Sequence, residues 1–152
     1  MENLMILAVF SVVFSMQSCT QNSDDKDVPE KVLTTFNAKF PDARKEEWEM
    51  EDETTWEAEF KLNGKAYSAN FKTNGDWLET EYEIKKSDIP ANILSILNQN
   101  FTDYEIDEAE IAESPLGKSY EMEIEVGEEE FEIVIDAQGK LTKQVEHEDD
   151  KD

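Results

Sequence analysis

Trp56-Glu57-Ala58-Glu59-Phe60-Lys61-Leu62, then Asn63-Gly64, then Tyr67-Ser68-Ala69-Asn70-Phe71, then Asn74-Gly75, then Leu78-Glu79-Thr80-Glu81-Tyr82-Glu83-Ile84 follow one another in a single stretch. In each run large or apolar residues alternate with charged or small polar ones, which is the period of a strand with one dry face and one wet face. The Asn-Gly pairs between the runs tolerate the positive φ of a tight hairpin turn. The stretch therefore predicts a three-strand antiparallel meander. Because its wet face is mostly carboxylate, its other face must be covered by something apolar.

On the N-terminal side, Val28, Val32, Phe36 and Phe40 recur every four residues with Leu33 beside them, which makes one apolar stripe on an amphipathic helix. Pro29 suits the first turn of that helix and Pro41 stops it. Trp48 and Met50 then alternate with glutamates as a first strand, and Glu51-Asp52-Glu53-Thr54 turns into the meander. On the C-terminal side a basic and polar break leads to Ile89-Pro90, which opens a second helix with Ile93, Ile96, Leu97 and Phe101 on its apolar face.

The spacing from Pro29 to Phe40 equals that from Pro90 to Phe101, which prompts a search for an internal repeat. Laid over the second half, Val32 falls on Ile93, Phe36 on Leu97, Trp56 on Tyr120, Ala58 on Met122, Phe60 on Ile124, Phe71 on Ile135, Gly75 on Gly139 and Trp77 on Leu141. The turn at Ser114-Pro115-Leu116-Gly117 absorbs a small difference in length. Strands are predicted over 104–111, 119–126, 130–135 and 140–145, with turns at Gly127 and Gln138-Gly139. The fold class is α+β. It is a tandem repeat of a helix plus about four antiparallel strands, with both helices packed over a shared apolar layer on one face of a continuous sheet. The two repeats span 28–86 and 87–146, and an acidic tail, 147–152, follows.

With 152 residues, 38% hydrophobic and 34% charged, the chain lies within globular limits and suits one domain. There are 38 Asp and Glu against 14 Lys and Arg, a formal net charge of −24, which repels nucleic acid and anionic membrane surfaces and attracts basic proteins or divalent cations. Residues 4–16 are an uninterrupted run of apolar and small residues, too short to span a bilayer but suited to the core of a signal peptide covering 1–18. The run ends at Met16-Gln17-Ser18-Cys19, which resembles the lipobox of bacterial lipoproteins, although Met16 and Gln17 depart from the usual residues. Cys19 is the only cysteine, and an acidic tether, 19–27, begins there. An intramolecular disulfide is therefore excluded. Lipidation of Cys19 would hold the chain on a membrane outside the cytoplasm, in the periplasm or at the outer membrane and cell surface.

The helix with Pro29, Val32, Phe36 and Phe40-Pro41, the tryptophan strand at Trp48, Ala58-Glu59-Phe60 and the turn at Asn74-Gly75, with their partners in the second half, resemble the PepSY-like family of secreted bacterial proteins. The tandem arrangement is also similar to the saddle-shaped beta-lactamase inhibitor proteins. These motifs speak to architecture. The resemblance implies a non-catalytic role, binding or restraining an extracytoplasmic protein such as a secreted protease.

Residue chemistry agrees with a non-enzyme. The single histidine, His147, lies in the acidic tail, where one imidazole lacks the fixed geometry of a selective metal site. No serine or cysteine has a histidine that could be held beside it for acyl transfer. No EF-hand spacing occurs, so calcium binding would be weak and diffuse, and neither a fixed metal site nor a cofactor is expected; the alternatives to a binding module are a structural or envelope-stress surface protein without a single partner and a weak divalent-cation-binding protein. Strictly alternating glutamates point to a solvated sheet face rather than to a catalytic pair with pKa values pushed apart. That face is the candidate recognition surface for a basic extracytoplasmic partner, with Glu79, Glu81 and Glu83 as contact residues. Trp77 alternates out of phase with Leu78, Tyr82 and Ile84, which puts it on the acidic face as an aromatic anchor unless a bulge near Gly75 turns it inward.

Overall fold

Alternation and turn chemistry set the element order. In the computed structural model, which describes residues 27–145, α1 (Glu30–Lys39) is followed by β1 (Arg44–Asp52), β2 (Thr55–Leu62), β3 (Lys65–Lys72) and β4 (Trp77–Glu83). A short 3₁₀ turn (Lys86–Asp88) leads to α2 (Ala91–Asn100), then β5 (Tyr104–Ser114), β6 (Gly117–Val126), β7 (Glu129–Ile135) and β8 (Leu141–Val145). Helix then four strands thus occurs twice. The predicted leader, Cys19 and the tail with His147 lie outside the described residues.

All eight strands form one antiparallel sheet in chain order, β1 through β8. Asn63 and Gly64 take φ of 52° and 84°, as a tight hairpin requires, and set Ala58 opposite Ala69 and Phe60 opposite Tyr67. The second Asn-Gly behaves differently. Only its glycine takes positive φ, 95°, and β3 and β4 are joined by a four-residue loop, 73–76, in which the Asn74 side chain bonds Asp76. A register shift follows between Asn70 and Phe71, and Phe71 comes to face Trp77.

Cross-strand partners share a face, so the register sorts the side chains. One row runs Trp48, Ala58, Ala69 and Thr80; another runs Tyr82, Ile111, Tyr120 and Ile135. These belong to the dry face. The rings of Phe36 in α1 and of Trp48, Phe60 and Phe71 in the sheet meet with centroids 5.1, 5.1 and 6.1 Å from that of Phe36. In the second half Ile93 and Leu97 of α2 join Met122, Ile124, Phe131, Ile133 and Ile135.

The buried apolar residues do not merge into the single layer predicted above. All but Ile111 and Ala112 form two clusters, one within each half. The sheet backbone is continuous across the boundary, but there β4 contributes Thr80 and the half-buried Tyr82 rather than large buried aliphatics. A ring contact between Tyr67 and Tyr82, 5.0 Å between centroids, ties β4 to the first half, and across the boundary Tyr82 stands opposite Ile111. Each helix docks beside a glycine turn. Thr35 Oγ1 donates to the Gly75 carbonyl at 2.8 Å, and a Cβ on Gly75 would stand 2.9 Å from the Lys31 carbonyl oxygen.

Candidate functional site

The other face of the sheet carries no helix among the described residues. Its rows follow from the same register. Ser68, Glu81, Ala112 and Ser119 lie side by side on β3 to β6, and the next row is Glu83, Glu110, Glu121 and Val134 on β4 to β7. Asn70 stands opposite Glu79 and Glu57. Strands about 4.8 Å apart bring these carboxylates together with little but one another for company.

This face is not the freely solvated ladder that alternation suggested. Glu121 is 4% exposed, and Ala112, on a face without a helix, is 2% exposed. Glu57, Glu79, Glu81 and Glu110 are half-buried, whereas Glu59 and Glu83 are exposed. Neighbouring glutamate stems shield each other and close over the short side chains between them, which single-strand periodicity cannot show.

Burial raises the cost of charge on each of these acids. Burial first, then the charges of Glu79, Glu121 and Glu110, push Glu81 up to about 8. Burial and the charges of Glu79, Glu132 and Glu110 push Glu121 up to about 7. Glu57 is pushed up to about 8 by burial and by Glu51, Glu59 and Glu81. Glu79 and Glu110 also lie above the usual carboxylate range because they are buried. Counter-donors are few and long: Ser68 Oγ donates to Glu81 Oε2 at 3.4 Å and Ser119 Oγ to Glu121 Oε1 at 3.5 Å. Glu121 Oε2 and Asn70 Oδ1 are buried with no hydrogen-bond donor.

Of the residues singled out in the sequence, Glu79, Glu81 and Glu83 lie on this face, and Glu79 and Glu81 sit within the half-buried cluster. Trp77 does not. The loop 73–76 and the register shift turn it to the helix side, where it packs against the first core and its Nε1 donates to Thr80 Oγ1 at 3.0 Å. The Lys39 ammonium lies 3.4 Å from the centre of its ring, a cation–π contact that ties α1 to β4. Glu57, Glu110 and Glu121 are the members that the sequence did not put forward as contact residues; Glu57 and Glu121 are visible in it only as alternating glutamates. Their signal is pairing: Glu110 faces Glu83 and Glu121, and the overlay that sets Trp56 on Tyr120 also sets Glu57 on Glu121.

The described residues contain no group of three or more His, Cys, Asp or Glu arranged to hold a metal ion. None of their helices is long and apolar enough to cross a membrane. What the arrangement can do is accept hydrogen bonds and positive charge from outside.

Residues 54–143 match the family described as "Putative beta-lactamase-inhibitor-like, PepSY-like". Comparison with curated proteins gives no match. Among solved structures, a BLIP-like protein from Bacteroides fragilis superposes with a TM-score of 0.70 at 20% identity, covering 86% of this chain and 96% of that one. A protein from Bacteroides eggerthii described as periplasmic gives 0.67 at 16% identity, covering 78% and 88%. A DUF2874 family protein from Bacteroides ovatus gives 0.68 at 18%, covering 77% and 86%. At these identities the likeness is one of fold.

Proposed function

The chain belongs to the beta-lactamase-inhibitor-like, PepSY-like family, and from that premise we propose that it is a non-catalytic, exported lipoprotein that binds a protein outside the cytoplasm through the helix-free face of its sheet. The observation that carries this reading is the cluster of carboxylates held half-buried there. A coat serving solubility alone keeps its charges in water; holding Glu57, Glu81 and Glu121 where ionisation is costly destabilises the fold. Features that oppose stability collect where a surface has another task.

The finer parts of the proposal rest on sequence. The two helix-plus-four-strand halves are copies of one unit, Cys19 carries the lipid, and residues 1–18 are removed on export. The partner is basic, because a field from −24 formal charges speeds its encounter and repels acidic competitors.

Retention of envelope proteins on the immobilised chain tests the reading. A saturable partner is expected, with an on-rate that falls as salt rises, and the triple variant Glu79→Lys, Glu81→Lys, Glu83→Lys loses it. No retention at any ionic strength leaves a structural envelope role and sinks the proposal. Metabolic labelling with palmitate should mark the chain and fail to mark Cys19→Ala.

A further inference from the structure

We propose that the partner is read by one arginine, whose guanidinium enters between Glu79, Glu81, Glu110 and Glu121 and takes Glu121 Oε2 as its innermost acceptor. This seat rests on the protein-binding reading above and names the chemistry of the contact.

Glu121 supplies the first argument. It is 4% exposed, yet its Oε2 has no partner. Ionised, that oxygen lacks a donor; protonated, it carries a hydroxyl that lacks an acceptor. Either state leaves a buried polar atom unsatisfied, which is costly in a folded chain. A donor arriving from outside removes that cost.

The surroundings supply the second. Ser68, Ala112 and Ser119 are short side chains in the row beside Glu121, with Glu81 standing between Ser68 and Ala112, so the glutamates there have room to move over them. Asn70 Oδ1, next to Glu79 by register, is a further buried acceptor without a donor. Two buried acceptors without donors, Glu121 Oε2 and Asn70 Oδ1, thus lie beneath the glutamates of this face, whose flexible stems must part to admit a donor.

The charges facing Glu121 come from every strand packed near it. They are Glu79 and Glu81 from β4, Glu110 from β5, Glu123 from its own strand and Glu132 from β7, all acids. Arg44, Lys61 and Lys72, which the register places on the same face, stand at strand ends, and Lys118 is engaged by Glu113 at 3.0 Å.

The choice of occupant follows. A second copy brings a like charge of −24 and is repelled. Lys26, His147 and Lys151, from the segments outside the described residues, are set among more numerous acids. A cationic side chain of another protein remains. Arginine suits it better than lysine, since five donors in a planar fork match several carboxylate oxygens at once and a guanidinium is shed of water more readily than an ammonium. Seating it favours the ionised carboxylates, so protons leave as it binds and affinity climbs with pH through the range in which Glu121 and Glu81, at about 7 and about 8, titrate.

The test is fluorescence anisotropy of labelled hexa-arginine and hexa-lysine peptides with the full chain in mild detergent at physiological salt. Hexa-arginine is expected to bind severalfold tighter than hexa-lysine, with affinity rising from about pH 6 to about pH 8.5. Glu121→Gln should weaken hexa-arginine about tenfold and flatten the pH profile, with Glu110→Gln as an independent second variant. Glu125→Gln removes the same charge from an exposed site on the same face and should change binding less than about twofold. Far-ultraviolet circular dichroism confirms that each variant is folded. Equal binding of the two peptides, equal loss in Glu121→Gln and Glu125→Gln, or no binding of hexa-arginine overturns the seat. The salt-dependent retention lost by the triple lysine variant is read separately, so the seat can fail while the binding face stands.

Discussion

The two halves of the molecule follow one plan and fill it with different chemistry. Under α1 the core is a set of rings: Phe36 meets Phe40, Trp48, Phe60 and Phe71, three of the four at interplanar angles of 69° to 89°. Under α2 the same positions hold Leu97, Ile124 and Ile135, with Met122 and Ile133 beside them, and the ring contacts of Phe101 with Tyr104 and Phe131 are wider, at 6.3 and 6.5 Å. A helix-on-sheet plan accepts either filling because overall volume and pattern are kept. The fillings differ in how directional they are. Edge-to-face rings fix the angle at which α1 sits, whereas branched aliphatic chains interdigitate with more freedom.

The largest expected effect comes from removing the central side chain of each helix. Phe36→Ala should cost about 3–5 kcal/mol and Leu97→Ala about 2–5 kcal/mol, since both residues are fully buried. All three tryptophans, Trp48, Trp56 and Trp77, lie in the first half, so their fluorescence reports that half while far-ultraviolet circular dichroism reports both. The unbroken ladder across β4 and β5 predicts coincident transitions for Leu97→Ala in urea. Fluorescence melting later than circular dichroism would mean that the halves unfold as separate units.

A smaller effect sharpens the contrast at the matched turns. In Gly75→Ala the new Cβ meets the Lys31 carbonyl at 2.9 Å on a backbone with φ of 95°, and a loss of about 1–3 kcal/mol is expected. In Gly139→Ala the neighbour is the end of the Ile96 side chain at 3.4 Å, which can move, so only the positive φ of 80° costs stability. Thermal melts should rank the first variant clearly below the second. The reverse order would show that α2, not α1, is the tightly seated helix.

The smallest effect concerns the matched acids Glu57 and Glu121. Their folded pKa values lie above the ordinary value, so the folded chain binds more protons than the unfolded one between them. Stability from these groups is complete below about pH 4.5 and is lost as pH rises through about 7 to 8. The melting temperature should therefore rise by a few degrees on acidification from about pH 8.5 to about pH 5.5. Glu121→Gln should remove more of that rise than Glu125→Gln, and Glu57→Gln should remove a comparable share. A melting temperature that falls over this interval would contradict the burial of these carboxylates.

Much of the architecture was legible because it depends on local chemistry. Both helices run between the residues marked by Pro29 and Phe40 and by Pro90 and Phe101, and the Asn63-Gly64 hairpin keeps its predicted turn. The face of Trp77 is decided by one extra loop position, which Asn74-Gly75 does not announce since the same dipeptide serves tight and longer turns. The separation of the core in two depends on Thr80 and Tyr82 meeting Glu113 and Ile111 across the boundary. The acidic face was visible as composition. Its depth was not, because the rise at Glu121 combines its burial with the charges of Glu79, Glu132 and Glu110 on three other strands, a sum over neighbours that no single strand records.

Strand order that equals chain order has a kinetic consequence. A chain emerging N-terminus first from a ribosome or an export channel meets each new strand with its sheet neighbour already delivered, and no strand waits for a distant segment. Short sequence separations keep loop-closure costs low, which favours rapid assembly from one end to the other. The growing edge is exposed throughout, and the glutamates of β2, β4 and β6 and the lysines at the ends of β3 keep each edge from pairing with a stranger until the next hairpin arrives.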